Sequence, residues 1–309
     1  MKLTKKDPII IIGAGKISWS LVPALIHAGY KINTIITRIN KDAEKLASRF
    51  GIKNYSDTLG SIKIKKGIFL LAVPDTQIKP VADKLAELNL DFPNSLFIHL
   101  SGSQDISLLS SLGKKGAPAA SFHIMQTFPS KKTKNIKHSF SAIETDTDTA
   151  GDYLFKLAAK LELNPFRLHS SEKVIYHVAG VYASNFINAV LYQSKVFAEK
   201  LNLKNGSFND VFAPLFLSTI RNIINSGPAH ALSGPVERGD SDTIKKHIKA
   251  LKETSDKNQD ILLSYLSLSL LLVKAADEKS GFLNEGQTEI KHLLEKELAV
   301  IPALDCHSR

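Results

Sequence analysis

The sequence predicts an α/β protein, a doubly wound parallel sheet followed by an all-α second domain. Three observations predict it. Residues 8–30 read as an apolar strand, a glycine turn and a helix N-terminus in immediate succession. From there to about residue 167, short apolar runs closed by Gly, Pro or Ser alternate with amphipathic stretches, the pattern of repeated βα units. Beyond Ser170 the helical period dominates. A chain of 309 residues suits about two domains, and the change of character puts the expected domains at 1–168 and 169–309.

The first element carries the most information. Ile9, Ile10, Ile11 and Ile12 form a run suited to a strand buried on both faces. Gly13-Ala14-Gly15 follows, then Lys16, Ile17 and Ser18 at the start of an amphipathic run. Gly13 suits a tight turn, and Gly15 lets a pyrophosphate approach the backbone. The free N–H groups and positive dipole end of the helix then stabilise the anion. Ser18 stands where a third glycine is usual and is small enough for close helix–strand packing. This is the dinucleotide turn of a Rossmann domain, so Gly13, Ala14, Gly15, Lys16, Ile17 and Ser18 are expected to hold a cofactor. The alternative is a βα turn that binds nothing.

Residues 31–37 read as the second strand, ending at Thr37-Arg38. A carboxylate at this end grips the ribose hydroxyls of NAD. Here an arginine stands instead, suited to a 2′-phosphate. Thr37 and Arg38 therefore favour NADP, with NAD possible, against the plainer reading of a surface arginine. Residues 41–50 suit a helix, and 67–73 a strand closed by Pro74-Asp75. That places Ala72, Val73, Pro74 and Asp75 at the ligand-binding edge of the sheet, as candidates to line the nicotinamide-ribose side. Residues 78–88 suit a helix, and 95–100, 119–122 and 139–143 suit further strands.

In the helical half, helices are expected over 171–201, 209–226, 241–252, 257–278 and 285–297, with a Gly- and Pro-rich loop over 227–240. On the first, Lys173, His177, Ser184 and Asn188 fall close to one face, and Asn185 on an adjoining one. Such a stripe lines either a wet cleft or solvent.

Side chains for chemistry gather at strand ends. Ser101-Gly102-Ser103 suits either a hold on a carboxylate or carbonyl oxygen, or a turn of small residues. His123 and Gln126 follow the 119–122 strand; a reductase needs a proton donor there, and imidazole suits the role. Arg238 suits either a clamp on an anionic group or a structural pair with Asp240.

The motifs GAGxxS, LLAVPD, HLSGS, SFHxMQTF, YHxAxxxASN and LSGPxxRGD together resemble bacterial predicted oxidoreductases that pair a Rossmann-like domain with an uncharacterised helical C-terminal domain. More distantly the chain resembles the superfamily of β-hydroxyacid dehydrogenases, pyrroline-carboxylate reductases and prephenate dehydrogenases, with a second domain like that of 6-phosphogluconate dehydrogenase. The prephenate dehydrogenase likeness implies a catalytic His123 assisted by Ser101, although Ile124 replaces the proline of that motif. The lysine–asparagine pair of the hydroxyacid dehydrogenases is not clearly reproduced by Lys173 and His177, so that mechanism is not carried over. The expectation is hydride transfer between nicotinamide and a small, anionic keto/hydroxy or imine/amine substrate. His123, Ser101 and His177 are the catalytic set; Gln126, Asn185 and Arg238 face the substrate. The rival is a non-catalytic NADP(H)-binding regulator.

Composition narrows the partners. The net charge of +10 is spread along the chain without an aromatic-interleaved basic stripe, against nucleic acid. One cysteine, Cys306, excludes a disulfide framework and a cysteine-based zinc site, and no metal is expected. The N-terminal apolar run is too short for a signal peptide, and the interrupted run 261–273 too short to cross a bilayer. A cytoplasmic homodimer joined through the helical domain is expected, with no membrane partner.

Overall fold

A computed structural model describes residues 3–201, 206–254 and 259–301. Cys306 lies outside the described residues. The chain divides between Gln193 and Ser194 into two compact units.

The first unit is built on eight strands: β1 (Ile9–Ile12), β2 (Ile32–Ile36), β3 (Asn54–Ser56), β4 (Ile68–Leu71), β5 (Leu96–His99), β6 (Ala119–Ile124), β7 (Phe140–Thr145) and β8 (Asn164–Arg167). They lie in one sheet in the order β3-β2-β1-β4-β5-β6-β7-β8. Neighbours run parallel except β6 and β7, which are antiparallel. The helices of this part are α1 (Ser18–His27), α2 (Asn40–Arg49), α3 (Asp75–Ala86), the single turn α4 (Ser110–Gly113) and α5 (Asp148–Lys160).

The four isoleucines of β1 show why the central strands are apolar throughout. Ile9 and Ile11 enter one core layer with Val22, Leu25 and Leu46, while Ile10 and Ile12 enter the opposite layer with Phe69, Ile78 and Phe97. Successive side chains of a strand point to opposite faces, and helices cover both. Phe69 and Phe97 stack at 4.6 Å in the second layer. The edge strands have less of this signal. β3 is exposed or half-exposed throughout, and β8 carries Pro165, tolerated because an edge strand need not donate on both sides. Neither is among the strands expected from the sequence.

Pro23 lies inside α1. It cannot donate to the Trp19 carbonyl one turn earlier. Thr133 Oγ1 donates to that carbonyl at 3.1 Å instead, and Ser20 Oγ accepts from Lys134 N at 3.0 Å, so the segment between β6 and β7 is fastened to α1.

The expected helix over 171–201 is three pieces in line: α6 (Lys173–Gly180), a π-helical turn (Val181–Asn185) and α7 (Phe186–Ala198). The stretch Ser170–Ala198 is long and apolar enough to cross a membrane by length and composition, and none of its most apolar window is buried. Its start is nonetheless anchored in the sheet unit, as described below.

The second unit contains α8 (Phe208–Ser226), the turn α9 (Pro235–Arg238), α10 (Ser241–Thr254), α11 (Gln259–Ser280) and α12 (Glu285–Ala299). Its core gathers Val236, Ile244, Ile248, Leu266, Ile290 and Leu294. The Gly- and Pro-rich loop expected over 227–240 is partly helical, at α9, and buries Val236 in this core. Asn284 and Gln287 cap α12 reciprocally. The helix expected over 257–278 is α11, and it is buried on one side only: Leu262, Leu266 and Val273 are buried, whereas Leu268, Leu271 and Leu272 are exposed.

Candidate functional site

The strand order reverses at β1, which lies between β2 and β4. In open α/β sheets the crevice beyond the carboxyl ends of such strands takes the ligand. Gly13 begins the turn there with φ +116°, a conformation open to glycine. A Cβ on Gly13 would lie 2.1 Å from the Ala72 carbonyl oxygen after β4. Gly15 differs: the nearest atom to its Cβ position is that same oxygen at 3.8 Å, which leaves room for a group to approach the backbone. Ser18, fully buried, donates from Oγ to the Gly13 carbonyl at 2.8 Å and fastens the turn to the first residue of α1. Lys16 and Arg38 are exposed beyond β1 and β2, and Thr37 N donates to Ser56 O at 3.1 Å. Gly13, Ala14, Gly15, Lys16, Ile17, Ser18, Thr37, Arg38, Ala72, Val73 and Pro74 therefore follow the ends of three adjacent strands.

Past β5, Ser101 Oγ donates to Asp75 Oδ2 at 2.9 Å and accepts from Ser103 N and Gln104 N at 3.2 and 3.1 Å. Ser103 Oγ donates to the same Asp75 oxygen at 2.9 Å. Ser101 thus shapes its loop with every hydrogen-bonding position in use. His99, at 0% exposure, accepts from Ser101 N on Nδ1 at 3.3 Å. Burial pushes its imidazole down to about 4, and the nearby Lys173 charge acts in the same direction.

His123, on β6, stands beside this loop. A Cβ on Gly102 would meet His123 Nε2 at 2.8 Å, so the ring occupies the space that a side chain at 102 would need. His123 Nδ1 is 2.8 Å from the Tyr176 hydroxyl. Burial, then the charges of Lys173 and His177, push His123 down to about 4. Its ring is neutral at physiological pH.

Lys173, the first residue of α6, is 1% exposed. Its ammonium is 3.0 Å from Glu144 Oε2 on β7 and donates to Ser121 Oγ and to Ser101 O, the latter at 3.4 Å. Glu144 Oε1 accepts from Ser170 Oγ at 2.6 Å and from Ile106 N at 3.3 Å. A buried ion pair persists when further hydrogen bonds support it; here Glu144 Oε1 accepts two, while Oε2 has the Lys173 ammonium alone among the described residues. Burial lowers the Lys173 ammonium below the usual lysine range against the pull of Glu144.

Residues 4–124 match the family model described as a Rossmann-like domain, and residues 139–270 match a domain of unknown function (DUF2520). The chain joins a Rossmann-like domain to a DUF2520 domain. Among solved structures it is similar to a candidate NADP oxidoreductase of Bacteroides fragilis, with 24% identity over 87% of this chain and 98% of that one, TM-score 0.73. It is also similar to a protein of Thermotoga maritima, with 25% identity over 88% and 99% of the two chains, TM-score 0.69. A reductive aminase of Aspergillus terreus in complex with NADPH and ethyl-5-oxohexanoate shares the fold at 13% identity over 95% and 94%, TM-score 0.55. No curated protein matches the sequence.

The buried Glu144–Lys173 ion pair lies within the DUF2520 match, and the hydrogen bonds of Lys173 to Ser101 and Ser121 reach into the Rossmann-like match. The structure brings His123, Ser101 and Gly102 together with Asp75 and Lys173, and adds His99 and Tyr176. The expected polar stripe on the DUF2520 helix divides. Lys173 faces inward, whereas His177 and Asn185 are exposed and Ser184 lies within the π turn. The inward face is 173, 176 and 180, and a Cβ added to Gly180 would lie 3.4 Å from Met125 Sδ. Gln126 braces its own loop: its Oε1 accepts from Lys134 Nζ and Thr127 N, both at 2.9 Å. Arg238 lies in the second unit, exposed, at the end of α9. Asp240 there caps α10, accepting from Thr243 N at 3.0 Å and Thr243 Oγ1 at 2.7 Å. Tyr176 and Glu144 were missed in the sequence. The i, i+3 spacing of Lys173 and Tyr176 was the available signal for Tyr176; Glu144 had none, being an ordinary strand residue by sequence. Among the described residues no group of three or more His, Cys, Asp or Glu gathers as a metal site.

Proposed function

We propose that this chain is an NADP-dependent oxidoreductase acting on a small, anionic keto/hydroxy or imine/amine substrate. The observation that carries the reading is the glycine turn at the strand-order reversal, with Gly13 closed against Ala72 O and the approach to Gly15 open. The N–H groups around Gly15 and the N-terminus of α1 would hold the diphosphate, and Arg38 after β2 would pair with a 2′-phosphate. When bound, the nicotinamide supplies or accepts the hydride. His123 then presents a neutral imidazole to the oxygen or nitrogen whose charge changes. Ser101 and Asp75 hold the Gly102 backbone against that ring. The likeness to NADP and NADPH-bound oxidoreductases supports the cofactor. His177, Asn185 and Arg238 remain proposed substrate contacts. We place the enzyme in the cytoplasm as a homodimer joined by its apolar helices.

Titration of the purified protein with NADPH and NADH, followed by nucleotide fluorescence, tests the reading. NADPH is expected to bind more tightly, and Arg38→Ala to weaken NADPH about tenfold while leaving NADH nearly unchanged, as removal of one charge-assisted contact implies. Binding without oxidation or reduction across a panel of keto acids and imines would make the chain a nucleotide sensor. No binding of either nucleotide would end the enzyme reading.

A further inference from the structure

The ring of His123 is held from two sides. Its Nδ1 lies 2.8 Å from the Tyr176 hydroxyl, and its Nε2 faces Gly102. Tyr176 is itself fixed. It meets His123 edge-on at 5.5 Å and 87° and Phe166 at 5.9 Å and 65°. Three residues before it, Lys173 anchors the helix in the sheet unit through Glu144 and Ser121; four after it, Gly180 packs on Met125. The hydroxyl is thus delivered to one nitrogen by an element with little freedom to move.

We infer that Tyr176 is a positioning residue that sets the tautomer of His123: its hydroxyl donates to Nδ1 and places the single ring proton on Nε2, beside Gly102. A phenol is a better donor than acceptor, and a bare imidazole nitrogen is a good acceptor, so this direction is the stronger of the two pairings. Burial pushes Tyr176 up to about 12, so the hydroxyl keeps its proton. With the His123 ring neutral, one N–H must be allotted between two nitrogens, and the partner of one decides the other. His123 would therefore act on substrate as a neutral N–H donor, polarising the atom that gains negative charge. The inference rests on the reading of His123 as the proton-handling group.

The test uses full-length protein labelled with 15N-histidine and long-range 1H–15N correlation spectra at pH 7, His123 being assigned by the signals lost in His123→Gln. The expected wild-type pattern is an unprotonated, acceptor-type Nδ1 and a protonated Nε2. In Tyr176→Phe, which keeps the ring packing, the two nitrogen shifts should move toward each other as the tautomers mix. A wild-type His123 protonated on Nδ1, or an unchanged pattern in Tyr176→Phe, overturns the inference. The NADPH titration reports separately: if wild-type protein binds no nucleotide, the enzyme reading fails while the tautomer measurement still stands.

Discussion

Two histidines at the sheet edge share one cause and differ in consequence. His99 and His123 are both pushed down to about 4, chiefly by burial, against an ordinary value of 6.5. Between pH 6.5 and 4 the unfolded chain binds protons at these positions and the folded chain does not. Lowering the pH through that window therefore favours unfolding. The stability concerned is fully present above about 6.5 and lost as the pH falls toward 4, to an extent on the order of 3 kcal/mol for the wholly buried His99. The melting temperature should fall across this window in the wild type, and His99→Gln should fall less steeply. Identical slopes for the two proteins would remove His99 as the cause. Gly13 shows the same dependence on single atoms: a Cβ there meets a carbonyl oxygen at 2.1 Å, so the turn admits no side chain.

At the scale of the element, α6 is docked by one buried cation. Apolar residues along it and its continuation, such as Ile175 and Tyr182, are exposed among the described residues. Lys173 is the tie, and Glu144 its counter-charge. Removing one member leaves the other buried and unpaired, at a cost of about 3–5 kcal/mol, whereas replacing both by apolar groups of similar size is close to neutral. Glu144→Gln is therefore expected to lower unfolding stability in a denaturant titration, and Glu144→Leu combined with Lys173→Met to recover most of the loss. A Glu144→Gln protein as stable as wild type would show that the pair does not hold the helix.

At the scale of the molecule, the described helices leave apolar surface uncovered in both units. Val174, Ile175 and Tyr192 lie on the first; Leu215 and Ile224, the latter 76% exposed, lie on α8. No residue of α8 is buried. Apolar patches of this kind mark association surfaces, and each Leu or Ile side chain covered on association contributes about 1.5–3 kcal/mol. Light scattering on the eluting protein should give twice the chain mass for wild type, and the chain mass for Leu215→Glu/Ile224→Glu. A wild type that elutes at the chain mass would end the homodimer proposal.

The features legible in the amino-acid string are local in origin. The strand–turn–helix of residues 9–27, the strands of the central sheet and the helical second half follow from apolar period, glycine position and capping, each legible within one short window. The positions of Gly13, Ser101 and His123 at strand ends were legible for the same reason. Tertiary structure decided what depends on partners distant in sequence. β7 runs antiparallel to β6, and β3 and β8 close the edges with too little apolar signal to be read. Lys173 became the buried residue of its helix, and His177 an exposed one, because a carboxylate 29 positions earlier (173 against 144) stands under the first turn of α6. Tyr176 became the partner of His123 because that anchoring turns its face toward β6. Helical period gives the faces of a helix, but which face is buried is fixed by the charges and cavities it meets, and those come from other parts of the chain.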